Sequence, residues 1–444
     1  MIEMSPELAV FLMFIMMIGG LLMGQPLAFV LGGVGAIVGY LGWGPGALYM
    51  IVTRTFSSLT NQILIAIPLF VLMAVFLDKS GIAENLFTSM MHLFGKINGG
   101  VALAVTVLSV IFAAATGVIG ASVVSMSLLS VPVMLKYNYD RQLAAGVVTA
   151  GGTLGILIPP SIMLILMSDQ SGQSVGRLFA GALLPGVVLG GLFFIYVLVI
   201  SYIKPEKAPP LSAEERNQVG TLQLVRMLLL NLFPPIILIL GVLGTIWTGV
   251  ATPTEASGVG AFIAFLMMIA YGKFTWRRLY ESLMQALSTN AMVMGTIIGA
   301  SIFTGVFLGM GGDEVVTNII MSLEGLGKWG IFAMMMLIVF LLGFMIDWIG
   351  IIYITFPIFL PIASQVGFDQ TWFIVILAIN LQMSFLTPPV GYALFYLKGS
   401  VDPNQITLGQ IYKGIVPFII LQFTGLFICI FFPSIVTFLP SLLL

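Results

Sequence analysis

The chain is predicted to be an all-α polytopic membrane protein, built as an inverted structural repeat with broken helices and two re-entrant hairpins. Three observations carry that prediction. Of its 444 residues, 59% are hydrophobic and only 7% are charged, with a mean hydropathy of +1.15; a soluble domain carries roughly 25% charged residues. Apolar stretches of about 20 residues recur along the whole chain, each long enough to cross roughly 30 Å of hydrocarbon. Several motifs recur at a nearly constant offset, which points to two related halves.

Taken in order, apolar helices are expected near 7–24, 27–43, 100–135, 143–167, 178–203, 227–249, 253–272, 330–362, 371–397 and 415–438. Two further apolar stretches, 55–77 and 286–311, are marked by Pro68 and by Gly295, Gly299 and Gly305. These two are expected to be the re-entrant hairpins. The stretches 100–135 and 330–362 are too long for one plain crossing. The largest polar segment, 204–226, holds seven charges together with Pro205, Pro209 and Pro210. Ser212 and Glu215 have capping-box spacing there, so a short surface helix is expected to start at that point. The segment divides the chain into a first half (1–203), a linker (204–226) and a second half (227–444). No cleavable signal peptide is expected, because Glu3 and Glu7 stand where a positive region would be.

An offset of 229 carries Pro132 onto Pro361, Asp140 onto Asp369, Leu157 onto Leu386 and Pro159–Pro160 onto Pro388–Pro389, without a gap. An offset of 231 carries Phe76–Leu77 onto Phe307–Leu308, and one of 225 carries the run Gly33–Ala36 onto Gly258–Ala261. Positive residues favour the cytoplasmic side of a membrane. With the hairpins at 55–77 and 286–311, twelve of the 16 Lys and Arg fall inside and four outside: Arg54, Lys79, Lys96 and Arg177. Both termini are then external and the linker is cytoplasmic. The loop 136–142 lies inside and its counterpart 365–371 outside, which makes the halves inverted. Such repeats are a common plan for secondary transporters, with the substrate near the midplane.

The net charge of −1 offers no basic field for nucleic acid. No HExxH, Cys/His cluster, phosphate loop or second histidine is present, so no enzyme class is indicated. An intramembrane enzyme would need two facing polar groups, and only Asp347 is suitably placed. Cys429 lies in an apolar run and reads as an inert buried thiol. The main clue is the helix breakers. Thr116–Ser122 (TGVIGAS) interrupts 100–135, and Asp347–Gly350 (DWIG) interrupts 330–362. Gly152–Ser161 (GTLGILIPPS) and Ser384–Gly391 (SFLTPPVG) each place a Pro-Pro pair after an apolar run. Irregular backbone at membrane depth survives only inside protein or along a cavity. Freed carbonyls and helix ends at such breaks can coordinate a bare cation or a carboxylate. An intramembrane carboxylate such as Asp347 is costly unless paired, and so marks a functional site. Glu255, just after Pro253, reads as a helix cap. His92 reads as a surface histidine in an external loop. Trp276, Arg277, Arg278 and Tyr280 read as an interfacial anchor.

The runs IPLFVLMAVFLDKSGIAENL (67–86), GTLGILIPPS (152–161), ATPTEASGVGA (251–261), FMIDWIG (344–350) and SFLTPPVGYALF (384–395) resemble the large membrane subunit of the tripartite ATP-independent periplasmic (TRAP) transporters. The resemblance runs from about residue 10 to 430. It implies a sodium-coupled carrier of organic acids in the bacterial inner membrane. It also implies two partners, a small four-helix membrane subunit and a soluble periplasmic substrate-binding protein. The implied fold is that of the ion-transporter superfamily, with a scaffold and an elevator-like moving domain. Carried over by position, sodium sites are implied near Pro68, Gly117, Gly120 and Ser122 in one half, and near Gly299, Asp347, Gly350 and Thr387 in the other. The implied substrate contacts are Thr116, Thr153, Pro160 and Ser161, with Asn380 and Pro389. The chain departs from the family pattern at Ala74, Val75 and Phe76, where a small residue followed by an acidic or amide residue is usual. The other carrier reading of the same residues is a stand-alone sodium/dicarboxylate carrier that needs no binding protein.

Overall fold

The computed structural model describes residues 4–212, 214–215, 219–322, 325, 327–388 and 390–444, except for the side chains of Ala115 and Thr116. The first half contains α1 (Pro6–Leu22), α2 (Leu27–Trp43), α3 (Gly46–Leu59), α4 (Ala66–Lys79), α5 (Ile82–Phe94), α6 (Gly100–Thr116), α7 (Ile119–Lys136), α8 (Arg141–Thr153), α9 (Ile162–Ser171) and α10 (Val175–Ile203). The second contains α11 (Thr221–Trp247), α12 (Pro253–Ala270), α13 (Trp276–Gly309), α14 (Gly312–Met321), α15 (Gly327–Leu342), α16 (Trp348–Gln365), α17 (Gln370–Ser384), α18 (Tyr392–Ser400), α19 (Leu408–Phe431) and α20 (Ser434–Leu443). Among the described residues, seven helices are long and apolar enough to cross a membrane, or eight if α4 and α5 form one broken span. The chain is a multi-pass membrane protein.

The helix starts follow from local chemistry. Asp140 accepts the Leu143 amide at 3.0 Å at the start of α8, and Asp369 accepts the Trp372 amide at 2.7 Å at the start of α17. Each satisfies one of the amides a helix leaves without an internal partner. Glu255 is the cap the sequence suggested: with Thr252 it forms a capping box, accepting the Thr252 amide at 2.8 Å. Ser212 likewise accepts the Glu215 amide at 3.3 Å.

The hairpins are not where they were expected. Residues 286–311 do not fold back, because α13 runs unbroken from Trp276 to Gly309. Its glycines are contact points instead. A Cβ on Gly299 would sit 2.3 Å from the Ala28 carbonyl oxygen of α2, and one on Gly309 would sit 2.4 Å from the Trp43 ring. Small residues let membrane helices approach this closely. In the other stretch, Pro68 lies in the first turn of α4, where a missing amide costs little. The chain folds back instead in the two over-long stretches. At the base of the first hairpin, the buried Val101 amide near the start of α6 donates to Tyr139 Oη just beyond α7, at 3.1 Å. Burial pushes the Tyr139 phenol up to about 12, so it stays neutral at ordinary pH. At the base of the second, Lys328 Nζ near the start of α15 donates to the Gly367 carbonyl beyond α16, at 2.8 Å, and lies 4.1 Å from the Phe368 ring centroid. Both pairs of helices are therefore hairpins, with tips at Gly117–Val118 and Gly343–Asp347.

This geometry also sorts the two ends of the molecule. Gly81, after Lys79, packs against the Lys273 side chain. The Leu211 amide donates to the Gly95 carbonyl at 3.1 Å, and the Gly99 amide to the Ala208 carbonyl at 2.8 Å. Lys79 and Lys96 thus lie at the linker end, not opposite it. His92, in α5, shares that end and is half-buried rather than in an external loop. Lys328 lies at the other end, with the 365–371 loop.

Candidate functional site

Four breaks in the helices converge. The first hairpin turns at Gly117, whose φ of +61° lies in the left-handed region where a side chain would be strained. A Cβ there would also stand 3.2 Å from the Pro160 carbonyl oxygen. The tip therefore rests against the break between α8 and α9. That break holds the cis bond between Pro159 and Pro160, and Ser161, whose Oγ donates to the Ile156 carbonyl and accepts the Leu164 amide at 3.4 Å. Beyond the turn, a Cβ on Gly120 would lie 2.9 Å from the Tyr396 ring of α18. The first tip thus touches the second broken helix as well.

The second tip ends in Asp347, the N-cap of α16, with extended backbone (φ −66°, ψ 153°). Unlike Asp140 and Asp369, Asp347 makes no close capping bond. The Asp347 side chain borders an open space instead. That space is a cavity of about 650 Å³. Its walls are Val118–Gly120 and Asp347–Ile349 from the two tips, Ile162, Phe385, Tyr392 and Tyr396 from the broken helices, and the facing surfaces of α2 and α13.

The structure brings some of the sequence candidates together and sends others elsewhere. Gly120, Gly299 and Asp347 line the cavity, and Gly117 and Pro160 form the contact behind it. Gly350 packs on Leu27 and Leu31 of α2, and Ser122 is buried in α7. Thr387 Oγ1 donates to the Met383 carbonyl at 2.8 Å inside the second break. Pro68 lies outside the cavity lining. Thr153 is buried and accepts from both Gln382 and Gln422, each at 3.3 Å. Asn380 donates to the Met336 carbonyl at 2.8 Å, tying α17 to α15. Thr153 and Asn380 thus join elements rather than line the cavity. The Thr116 side chain and Pro389 lie outside the described residues. Sequence reasoning missed the aromatic wall: Phe385, Tyr392 and Tyr396, with Phe385 and Tyr392 in edge contact at 5.7 Å. The spacing of Tyr392 and Tyr396, one helical turn apart directly after Gly391, was the available signal.

This is the architecture of a membrane carrier: paired helix breaks around one cavity between packed helical layers. Residues 14–435 match the family described as tripartite ATP-independent periplasmic transporter, DctM component. The chain belongs to that family and is the large membrane subunit of a TRAP transporter. It is 28% identical to a C4-dicarboxylate TRAP transporter large permease of Vibrio cholerae, over 98% of both chains. It is 30% identical to an isethionate TRAP transporter permease of Oleidesulfovibrio alaskensis, covering 94% of this chain and 64% of that one. It is 26% identical to a 2,3-diketo-L-gulonate TRAP transporter large permease of Escherichia coli, over 95% and 96% of the two chains. Among solved structures, the Alcanivorax borkumensis YdaH transporter shares the fold, with a TM-score of 0.64 at 12% identity over 92% of this chain and 98% of that one.

Proposed function

We propose that this chain carries a small organic acid into the cell, across a bacterial inner membrane and coupled to sodium. In this reading it works with a small four-helix membrane subunit and a periplasmic substrate-binding protein. The observation that carries the proposal is the meeting of two hairpin tips and two broken helices around one cavity. Freed carbonyls, helix N-termini and the Asp347 carboxylate are then available together at membrane depth. Among the described residues no three His, Cys, Asp or Glu side chains cluster. A cation at the tips would therefore be held mainly by carbonyl and hydroxyl oxygens, the ligand set that suits a bare alkali ion. The donors suited to it are the carbonyls of the Gly117 and Asp347 turns with Asp347 itself. The positive charge of the bound cation would offset the negative charge of a substrate carboxylate brought into the same cavity.

The two halves run through similar element orders, nine helices from α2 to α10 and eight from α12 to α19, with the long α13 following α12 where α3 and α4 follow α2. We read them as an inverted repeat. In it α1–α4 and α11–α13 form a scaffold, and the hairpins and broken helices form a body that moves past it as an elevator. The deciding experiment is uptake into proteoliposomes. Uptake is expected only with a sodium gradient, the small subunit and the liganded binding protein together. Full uptake by the lone chain would replace this reading with the stand-alone carrier, and uptake driven equally well by protons would remove sodium from it.

A further inference from the structure

The cavity has an unusual chemical balance for a site that is to hold an acid. Among its described lining residues there is no Lys, Arg or His, and Asp347 is the one ionisable group apart from the two tyrosines. Thr296 is spoken for, since its hydroxyl donates to the Met292 carbonyl at 2.9 Å. Tyr392 donates to the Met345 carbonyl only at 3.3 Å. The remaining wall is aliphatic or aromatic, with Val118, Ile119, Ile162, Ile302, Trp348 and Phe385 facing the space. One end of the cavity is thus polar, where the N-termini of the 18-residue helices α7 and α16 meet Tyr392 and Tyr396. Everything beyond it is oily.

We propose that the cavity is built for a monocarboxylate with an apolar body, aromatic or branched aliphatic, rather than for a dicarboxylate or a polyhydroxylated acid. The inference rests on the transport reading above and narrows it. One carboxylate is accommodated at the polar end, where the first-turn amides of α7 and the Tyr396 hydroxyl donate to it and the cation proposed beside Asp347 offsets its charge. A second carboxylate has no cation to meet, and burying an unpaired charge is expensive. A polyol meets no acceptors or donors along the Ile, Val and Phe wall, and unpaired hydroxyls are selected against strongly. Size agrees. An apolar cavity of about 150 Å³ takes up a benzene ring. The volume of about 650 Å³ here has room for a ring or branched chain beside the carboxylate.

The test reads affinity directly, without the selectivity of a binding protein. The full chain in lipid nanodiscs is heated with increasing concentrations of phenylacetate, 4-methyl-2-oxopentanoate, succinate or gluconate, in sodium and in potassium buffer. Affinity follows from the concentration dependence of the unfolding midpoint. Phenylacetate and 4-methyl-2-oxopentanoate are expected to bind at least about tenfold more tightly than succinate or gluconate. Met292→Arg places a guanidinium in the lining at a position 61% exposed. It should strengthen succinate binding by about tenfold, as one charge-assisted hydrogen bond would. Succinate or gluconate binding as tightly as phenylacetate to the unaltered chain overturns the apolar assignment and leaves the transport reading standing. No shift with phenylacetate or 4-methyl-2-oxopentanoate in sodium also overturns the apolar assignment, while the transport reading is decided separately by the uptake experiment above.

Discussion

Asp347 and Asp369 are the same residue in the same kind of place, a helix N-cap, yet only Asp369 makes the cap bond. Asp369 holds the Trp372 amide at 2.7 Å, while Asp347 makes no cap bond and lines the cavity. A carboxylate held there in a region of weak screening favours a cation bound nearby. Asp347→Asn is therefore expected to weaken sodium activation of uptake while membrane yield stays normal. Unchanged sodium dependence in that variant would make the carboxylate structural. Two glycines give a second contrast at this scale. Gly120→Ala meets the outer end of the Tyr396 ring at 2.9 Å, and a ring can swing. It should alter uptake affinity and leave thermal stability within about 0.5 kcal/mol. Gly299→Ala meets the Ala28 main chain, which cannot swing. It should cost about 1–3 kcal/mol through overpacking, read as a lower unfolding midpoint and poorer yield.

At the scale of elements, the hairpin bases are where the fold is tied. The Val101 amide is buried at the start of α6, which has no side-chain cap, and Tyr139 supplies its acceptor. Tyr139→Phe leaves that donor unpaired and should destabilise the chain by about 1–3 kcal/mol. Lys328→Met is expected to cost less, because its bond to Gly367 is exposed. Equal loss in both variants, measured as unfolding midpoints in detergent, would contradict this ranking. The same elements show what the sequence made legible. The broken stretches were readable from Gly117, Asp347 and the two Pro-Pro pairs, because each of these residues disfavours continued helix. The fold-back was not readable, since a hairpin and a kinked crossing have the same hydropathy. Tyr139 and Lys328 tie the bases through contacts that only the folded chain creates. The glycines of α13 misled for a related reason: a glycine that opens a turn and a glycine that admits a neighbour are the same letter. The tyrosine wall escaped notice because an aromatic stripe usually signifies core.

For the whole molecule, relocating the hairpins changes the map of positive charge. Lys79 and Lys96 join the linker end and Lys328 leaves it, so the expected twelve against four become twelve against three among the 15 described Lys and Arg, with Arg216 outside the described residues. The bias is stronger than the sequence alone suggested, and it favours the proposal that the linker end is cytoplasmic. Single cysteines at the exposed positions Glu206 and Gln365 should react with an impermeant thiol reagent from opposite sides of the membrane. Cys429 is fully buried and should stay silent. Labelling of both from one side would refute the inverted arrangement.

The Thr153 hydroxyl sits between Gln382 and Gln422, so one residue of the first half gathers two from the second. This bears on how the chain is assembled. Oily helices in lipid gain little by preferring one oily neighbour to another, whereas a shared polar knot inside the bundle names the correct partner. A gene cut within the 204–226 linker and expressed as two pieces should therefore yield halves that find each other and copurify. Replacing Thr153 with Val should lower the amount of copurified pair without abolishing it, because α2 and α13 also join the halves through close packing at Gly299 and Gly309. The continuous chain would then be a convenience of synthesis, and the knot one of the instructions for pairing.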